Sequence, residues 1–214
     1  VDDAYCESEW GETFRPGYLA LGDYISQIRP KVLSAFTATA SPEVVKAVAR
    51  RLFGEAPYSL VTADMDKPNL RYAVVPTLPP LRSLERLVRE KPKPLVVFER
   101  SRAGAALVCE EIGSRTGLPA KFYHAGLSRE EKSAIEAWFM ASDDGILAAT
   151  CAYGLGVDKR NIRTVVHYRL PSSVEAYIQE AGRAGRDGGP AEAILIDDRR
   201  ADRAMEAPQE EMDH

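Results

Sequence analysis

The sequence contains 214 residues, of which 45% are hydrophobic and 28% charged, a composition typical of a globular protein. Its net charge of −4 at pH 7 excludes binding of a polyanion through the overall field, so a nucleic-acid site would have to be a local patch. No apolar segment approaches membrane-spanning length, and no signal-peptide pattern is present. The dispersed cysteines Cys6, Cys109 and Cys151 argue against a zinc site or disulfide framework and favour a reducing, intracellular location.

The first third of the chain predicts one strand, one helix and a linker. Val1-Asp2-Asp3 reads as the end of a buried strand that enters an acidic turn, so we expect the chain to be a fragment of a longer protein. Residues 32–36 predict a short buried strand. A helix follows, with Ser41 as N-cap, and Gly54 ends it. The polar residues 63–69 are typical of a linker between domains.

From residue 70 onward, apolar strands alternate with amphipathic helices. This order predicts an α/β fold with a mainly parallel sheet covered by helices on both faces. Functional groups gather at the carboxyl ends of such strands, where Ser101, His124 and Thr150 follow three of them. We predict strands at 70–75, 95–98, 120–123, 146–149, 164–168 and 193–196, and helices at 81–90, 102–115, 129–140 and 173–183.

The segment 177–188 carries two arginines beside glycines. Arg183 and Arg186 are three residues apart, with Gln179 one helical turn earlier, so they are predicted to share one helix face or end. Their planar guanidinium groups suit phosphate oxygens. The pattern Gln-x-x-Gly-Arg-x-Gly-Arg resembles motif VI of superfamily 2 helicases, which implies an arginine finger directed at the γ-phosphate of ATP. Taken alone, it fits surface ion pairs at a helix end equally well.

The first residues resemble motif II of the same helicases. In Asp2-Asp3-Ala4-Tyr5, the resemblance implies that Asp2 holds Mg²⁺ through water and that Asp3 orients the attacking water. Asp3 stands where the family normally has glutamate, and Tyr5 where histidine is typical. Because aspartate is one methylene shorter, we expect slow hydrolysis. A plain acidic turn is the competing interpretation.

The next residues follow the pattern Cys-x-Ser-x-Trp-Gly-x-x-Phe-Arg-Pro-x-Tyr, which resembles the aromatic-rich loop of RecQ-type DNA helicases. Trp10 and Phe14 offer flat faces to unstacked bases, and Arg15 offers a fork to phosphate or carboxylate. Phe14 and Tyr18 equally fit core anchors. The loop is therefore a candidate contact to DNA.

Weaker motifs stand between these two ends of the chain. Thr37 and Thr39 lie in a Thr-Ala-Thr-Ala turn that resembles motif III, which implies coupling between the ATP and DNA sites. Ser101-Arg102 resembles motif IV, and His124 lies in a further DNA-facing motif, although a lone histidine is more often structural. Helix starts at both places suit DNA phosphates.

A glycine-rich stretch after Thr150 resembles motif V. The resemblance implies that Thr150 contacts the DNA backbone and that Gly154 and Gly156 allow close approach of the chain. It also implies that Asp158 approaches the ATP ribose or pairs with an arginine. Asp66-Lys67-Pro68-Asn69 resembles the RecQ domain junction, with Lys67 in place of the usual arginine.

Together these motifs resemble a RecQ-family ATP-dependent DNA helicase from motif II to about Asp198. The resemblance implies the C-terminal part of a first RecA-like domain at 1–64, a second RecA-like domain at 65–198 and an acidic tail at 199–214. It implies ATP and Mg²⁺ as cofactors, single-stranded DNA and DNA junctions as partners together with an N-terminal RecA-like lobe, no membrane, and a place in the cytoplasm at the nucleoid or in the nucleus.

The phosphate-cradling loop Gly-x-x-x-x-Gly-Lys-[Ser/Thr] does not occur in the sequence. We therefore expect these 214 residues alone not to hydrolyse ATP. Asp3 and Tyr5 leave open a non-catalytic, helicase-like module that binds nucleic acid. The sequence also leaves open an RNA helicase of the same superfamily and a plain interaction domain that uses the acidic tail.

Overall fold

The computed structural model describes residues 21–37, 42–62, 66–151 and 158–198. The chain forms two compact units, residues 1–66 and residues 67–214. Within the described residues, no helix combines the length and the apolar character needed to cross a bilayer.

The described part of the first unit contains two helices, α1 (Leu21–Ile28) and α2 (Pro42–Phe53). Three buried residues of α2, Val44, Val48 and Leu52, form a small apolar cluster with partly buried neighbours that include Leu21 of α1. Helix α2 ends directly before Gly54, whose φ of +59° leaves the helical region. The predicted helix at this position is therefore confirmed.

The predicted buried strand at 32–36 is wrong. These residues have no strand conformation, and the side chains of Val32 and Phe36 are 82% and 64% exposed. An isolated strand cannot satisfy its backbone groups without a neighbour. No described residue of the first unit supplies a pairing strand, so the apolar pattern alone does not produce one.

The second unit is built on a six-stranded sheet in which every paired neighbour is parallel. The spatial order is β1-β6-β5-β2-β4-β3, so β1 and β3 are the edge strands. The predicted parallel α/β fold is confirmed. The strands are β1 (Leu70–Thr77), β2 (Leu95–Phe98), β3 (Ala120–Tyr123), β4 (Ile146–Ala149), β5 (Thr164–His167) and β6 (Ala191–Asp198).

Side chains on both faces of the sheet are buried. Along β2, Val96 and Phe98 belong to one core cluster, whereas Leu95 and Val97 belong to another. A strand covered on both faces needs apolar residues at every position, which explains its uninterrupted apolar run. The helices of this unit are α3 (Pro80–Glu90), α4 (Arg102–Thr116), α5 (Arg129–Ala141) and α6 (Val174–Ala181).

Local signals set most helix ends in this unit. The Ser101 hydroxyl accepts from the Gly104 amide at the start of α4, and Ser128 and Glu131 form the predicted capping box of α5. The predicted end of α6 is wrong, because the helix stops at Ala181 and residues 182–187 form turns. Gly185 has a φ of +60°, which a helix cannot accommodate. Arg183 and Arg186 consequently lie on a turn and not on a helix face.

Candidate functional site

The two predicted phosphate-binding arginines lie on the segment 182–189, which we call the arginine turn. The Gly185 amide donates to the Ile162 carbonyl at 2.9 Å, and the Asp187 amide donates to the Arg160 carbonyl at 3.2 Å. These bonds place the turn beside the residues that precede β5, and β6 begins just after it at Ala191. The turn thus lies near the amino ends of β5 and β6, away from the carboxyl ends where we expected functional groups to gather.

Arg186 contacts the residue predicted to end motif V. Its Nη1 atom donates to Oδ1 of Asp158 at 2.8 Å, and the other carboxylate oxygen lies 3.7 Å from Nε of Arg160. The side chains of Arg186 and Asp158 are 35% and 63% exposed. The structure therefore brings together the two segments that resemble motifs V and VI, and the guanidinium group stays accessible to solvent.

Arg183 has a different environment. The residue is only 9% exposed, and its charge acts on the thiol of Cys151, directly after β4 and Thr150. Burial raises the pKa of that thiol, the Glu180 carboxylate adds to the rise, and Arg183 opposes it. Arg183 is therefore an internal cation whose charge reaches Cys151, whereas Arg186 faces solvent. Gln179 is half-buried on the last turn of α6.

A buried histidine anchors the helix that carries Gln179. His167, the last residue of β5, is fully buried, and its Nε2 atom lies 3.1 Å from Oε2 of Glu180. Its ring centroid lies 4.7 Å from that of Tyr177 and 5.6 Å from that of Phe98. These contacts fix the end of α6 on the sheet immediately before the arginine turn. Sequence reasoning missed the pair, although a polar residue in the apolar run of β5 was a visible signal.

The carboxyl ends of β2, β3 and β4 carry the predicted DNA-facing residues. A Cβ atom at Gly126 would lie 3.0 Å from Nη1 of Arg102 and 3.4 Å from Nδ1 of His124, so these two side chains meet across Gly126. The His124 ring stacks on Phe122 with centroids 5.5 Å apart. The Thr150 amide donates to the Tyr123 carbonyl at 3.1 Å. The structure therefore brings Arg102, His124 and Thr150 to one edge.

Ser101 lies at the same edge but uses its polar atoms locally. Its hydroxyl caps α4, and its amide donates to Oε2 of Glu99 at 2.6 Å. Glu99 also lies 3.7 Å from Nε of Arg169. A carboxylate beside Ser101 disfavours a phosphate at that residue, so Arg102 is the stronger candidate of the two.

Lys159 is a buried cation to which the sequence assigned no role. It is 4% exposed, and Nζ donates to the Ser142 carbonyl at 2.8 Å and to the Met140 carbonyl at 3.1 Å. A cation here satisfies carbonyls at the end of α5. Because Lys159 follows Asp158 directly, this anchor fixes the backbone next to the partner of Arg186.

The remaining predicted site residues either belong to the first unit or lie outside the described residues. Thr37 is exposed in the first unit. The others lie outside the described residues: Asp2, Asp3, Trp10, Phe14, Arg15, Thr39 and Gly156.

Comparison with known families matches residues 80–188 to the helicase conserved C-terminal domain. The chain belongs to this family. It is 37% identical over 197 residues to the ATP-dependent DNA helicase RecQ of Pasteurella multocida, covering 92% of this chain and 31% of that protein. It is 36% identical over 200 residues to the probable ATP-dependent DNA helicase RecS of Bacillus subtilis, covering 92% and 40%. The resemblance to RecQ-family helicases is confirmed, and the chain spans less than half the length of these relatives.

A solved structure shares the fold. Dbp5 of S. cerevisiae, bound to RNA and ADP BeF3, matches with a TM-score of 0.70 over 96% of this chain and 55% of that one. At 18% identity this likeness concerns the fold alone. It confirms the predicted RecA-like architecture.

Proposed function

We propose that this chain is part of the motor of a RecQ-like, ATP-dependent DNA helicase, in which Arg186 acts on the phosphates of ATP. The observation that carries the proposal is the contact between Arg186 and Asp158 at 2.8 Å. It joins the two segments that resemble motifs V and VI. In this contact the solvent-accessible guanidinium group of Arg186 is hydrogen-bonded to a carboxylate, and a phosphate group can take the place of that carboxylate.

The charges around the arginine turn fit a polyphosphate ligand. Two cations, Arg186 and Lys67, lie at this turn, because Nζ of Lys67 donates to the Gly182 carbonyl. Burial, and then the charge of Arg186, lower the pKa of Lys67. Arg160 adds a third, 71% exposed. Asp158 is the acidic partner of both arginines. Guanidinium donors at such a place stabilise negative charge that develops on a transferred phosphoryl group.

The magnesium chemistry is assigned by resemblance alone. Asp2 would hold the ion through water, and bound Mg²⁺ neutralises phosphate charge. Asp3 would orient the attacking water, and Thr37, Thr39 and Gly156 would line the nucleotide side of the motor.

We assign DNA binding to the edge that carries Arg102, His124 and Thr150. Two helices begin there, after Ser101 and Ser128, and backbone amides at helix starts favour phosphate oxygens. Contacts to phosphates position a strand without reading its sequence, so we expect weak sequence preference and strong salt dependence. Trp10, Phe14 and Arg15 would extend this contact.

The proposed organisation follows the RecQ resemblance. Residues 1–64 would be the end of a first RecA-like domain, residues 65–198 the second, and residues 199–214 an acidic tail. ATP would be held between this second domain and an N-terminal lobe, and the complete protein would act on single-stranded DNA and junctions inside the cell.

The test compares Arg186→Ala with Arg82→Ala in the complete protein. Arg82 is exposed on α3, outside the residues assigned to ATP or DNA, and serves as the matched control. We expect Arg186→Ala to lower DNA-stimulated ATP turnover by about 10³-fold or more, as loss of an arginine finger does. The affinity for single-stranded DNA should stay within about threefold, since the phosphate contacts lie elsewhere. Equal loss of turnover and DNA affinity would contradict the assigned role.

A non-catalytic nucleic-acid-binding module is the second candidate, favoured by Asp3 and Tyr5. The complete protein would then bind DNA without measurable ATP turnover, and Asp3→Glu would not restore it. A rise in turnover on Asp3→Glu would instead identify a working motor slowed by the shorter side chain. Competition between DNA and RNA strands of equal length distinguishes a DNA helicase from an RNA helicase.

A further inference from the structure

The first residues of the second unit contact the arginine turn directly. Nδ2 of Asn69 donates to the carbonyls of Gly185 at 2.8 Å and Gly189 at 2.7 Å. Nζ of Lys67 donates to the carbonyl of Gly182 at 2.5 Å. Two residues more than 100 positions away in sequence therefore hold three carbonyls of the turn: one before Arg183, one between the two arginines and one after Arg186.

The amide of Asn69 is held in place by the sheet. The backbone carbonyl of Asn69 accepts from the Ala191 amide at 2.9 Å, next to the point where β1 and β6 begin to pair at Leu70 and Ala191. A Cβ atom at Gly185 would lie 2.5 Å from Nδ2 of Asn69, so the amide packs directly against the backbone of this glycine. The position of Asn69 thus determines the path of the backbone at Gly185, the residue before Arg186.

Lys67 holds the other end of the turn. Gly182 is the C-cap residue of α6, and a cation beside the last carbonyls of a helix interacts favourably with its dipole. The ammonium group is close enough to Arg186 for that charge to contribute to its lowered pKa, after the larger effect of burial. Lys67 therefore fixes the backbone at the first residue of the turn, and its positive charge acts on Arg186.

The bonds of the turn divide into two sets. Its amides at Gly185 and Asp187 donate to the segment before β5, and its carbonyls accept from Lys67 and Asn69. Lys67 is also the first residue of the second unit. The turn is therefore held between the sheet and the point at which the chain enters this unit.

We propose that Lys67 and Asn69 form a positioning clamp for Arg186, through which displacement of the chain entering the second unit moves the arginine turn. The clamp rests on the proposed ATP role of Arg186 and adds a regulation of that site. In this role Lys67 and Asn69 bind backbone carbonyls of the turn and not the ATP phosphates. They set the position from which the guanidinium group of Arg186 reaches the phosphates. The rate of ATP hydrolysis would then depend on the position of the chain that enters the second unit.

The test uses Asn69→Asp in the complete protein. The two side chains have the same shape, but the carboxylate cannot donate and instead faces two carbonyl oxygens. We expect kcat for DNA-stimulated ATP hydrolysis to fall by about 10- to 100-fold, the cost of misplacing a catalytic group by roughly 1 Å. KM for ATP and the affinity for single-stranded DNA should change by less than about threefold, because interactions made only in the transition state act on kcat.

A lysine series decides the matter if Asn69→Asp fails to fold. Lys67→Met removes the charge at nearly constant length, and Lys67→Arg restores a donor. We expect the first to lower kcat and the second to return it to within about threefold of the wild-type value, since a donor again reaches the Gly182 carbonyl. Lys93→Met is the matched control, because Lys93 donates to a single carbonyl, that of Arg89 at the end of α3, at 3.3 Å. Equal kcat in Lys67→Met, Lys67→Arg and Lys93→Met would overturn the clamp.

Two further variants separate failure of the clamp from failure of the proposed function. If Arg186→Ala leaves turnover unchanged, the ATP role itself is wrong. If Arg186→Ala abolishes turnover while Asn69→Asp and Lys67→Met keep it within about twofold, the clamp alone is wrong, since Arg186 then acts without needing these two residues to position it. In the double variant Asn69→Asp with Arg186→Ala, we expect no loss beyond that of Arg186→Ala, because misplacing an absent finger costs nothing more.

Discussion

Arg186 and Asp158 are hydrogen-bond partners 28 residues apart in sequence, with Nη1 and Oδ1 separated by 2.8 Å. Asp158 is exposed, and the neighbouring Lys159 is anchored on the end of α5, so a fixed backbone presents an exposed carboxylate to the arginine. Because the pair is solvent-accessible, its contribution to folding is small and its geometry is available for ligand binding. We therefore expect this contact to matter more for ligand binding than for the stability of the fold.

The first prediction separates these two contributions. We expect Arg186→Ala to lower the free energy of unfolding of the 214-residue chain by no more than about 1 kcal/mol, because exposed ion pairs are weak. Urea denaturation followed by circular dichroism measures the change, with Arg82→Ala as the surface reference. A loss of about 3 kcal/mol or more would mean that Arg186 is a structural residue.

The second prediction concerns the chain on its own. We expect the purified 214-residue chain not to hydrolyse ATP measurably, because its sequence contains no phosphate-cradling glycine-lysine loop. Release of inorganic phosphate with Mg²⁺ and single-stranded DNA present measures this. Steady turnover that is lost in Arg186→Ala would refute the prediction, whereas turnover that survives that variant indicates a contaminating enzyme.

The third prediction uses two glycines of the same turn. Gly185 and Gly188 both have positive φ, +60° and +82°, but only at Gly185 does an added Cβ meet neighbours, at 2.5 Å from Asn69 and 2.8 Å from Gly189. We expect Gly188→Ala to cost about 1–2 kcal/mol of unfolding free energy from backbone conformation alone. Gly185→Ala should cost more, by about 1–3 kcal/mol of overpacking. Equal losses in thermal or urea denaturation would show that Asn69 moves aside freely.

The strands of the second unit could be predicted because each depends on a local signal. Leu95–Phe98 and Ile146–Ala149 are short apolar runs bounded by turn residues, and they form the strands that this pattern indicates. The capping box at Ser128 likewise starts its helix where the sequence places it. Burial on both faces of a parallel sheet leaves such runs no alternative environment.

The errors and omissions arise from distant contacts. The strand predicted at 32–36 needed a pairing partner that the local pattern does not reveal. The arginine turn is held by Asn69 from 116 residues away, and the contact between His167 and Glu180 joins a strand to a helix. Motif spacing identified the arginines, but only the fold shows that Arg183 is internal and Arg186 accessible.

The fourth prediction concerns stability in acid. The guanidinium group of Arg163 holds the pKa of Asp187 at about 2, below the ordinary value of about 3.9 for an unfolded chain. Between these values the unfolded state binds more protons, so this part of the stability is present above about pH 4 and is lost as the pH falls toward 2. Asp187→Asn should flatten the pH dependence of the urea midpoint in this window. An unchanged acid slope in that variant would show that Arg163 does not hold Asp187 in solution.

The last prediction concerns alkaline pH. Burial, and then the hydrogen bond of 2.5 Å to Glu136, raise the pKa of Tyr123 to about 12. The folded state keeps its proton where the unfolded chain, with a tyrosine pKa of about 10, loses it, so stability is complete below about pH 10 and declines as the pH rises toward 12. Tyr123→Phe should remove this decline and delete one late-titrating phenol from the ultraviolet absorbance of the nine tyrosines. If the phenol missing from the titration curve of Tyr123→Phe is instead one that titrates near pH 10, the value of an exposed tyrosine, then Glu136 does not hold Tyr123.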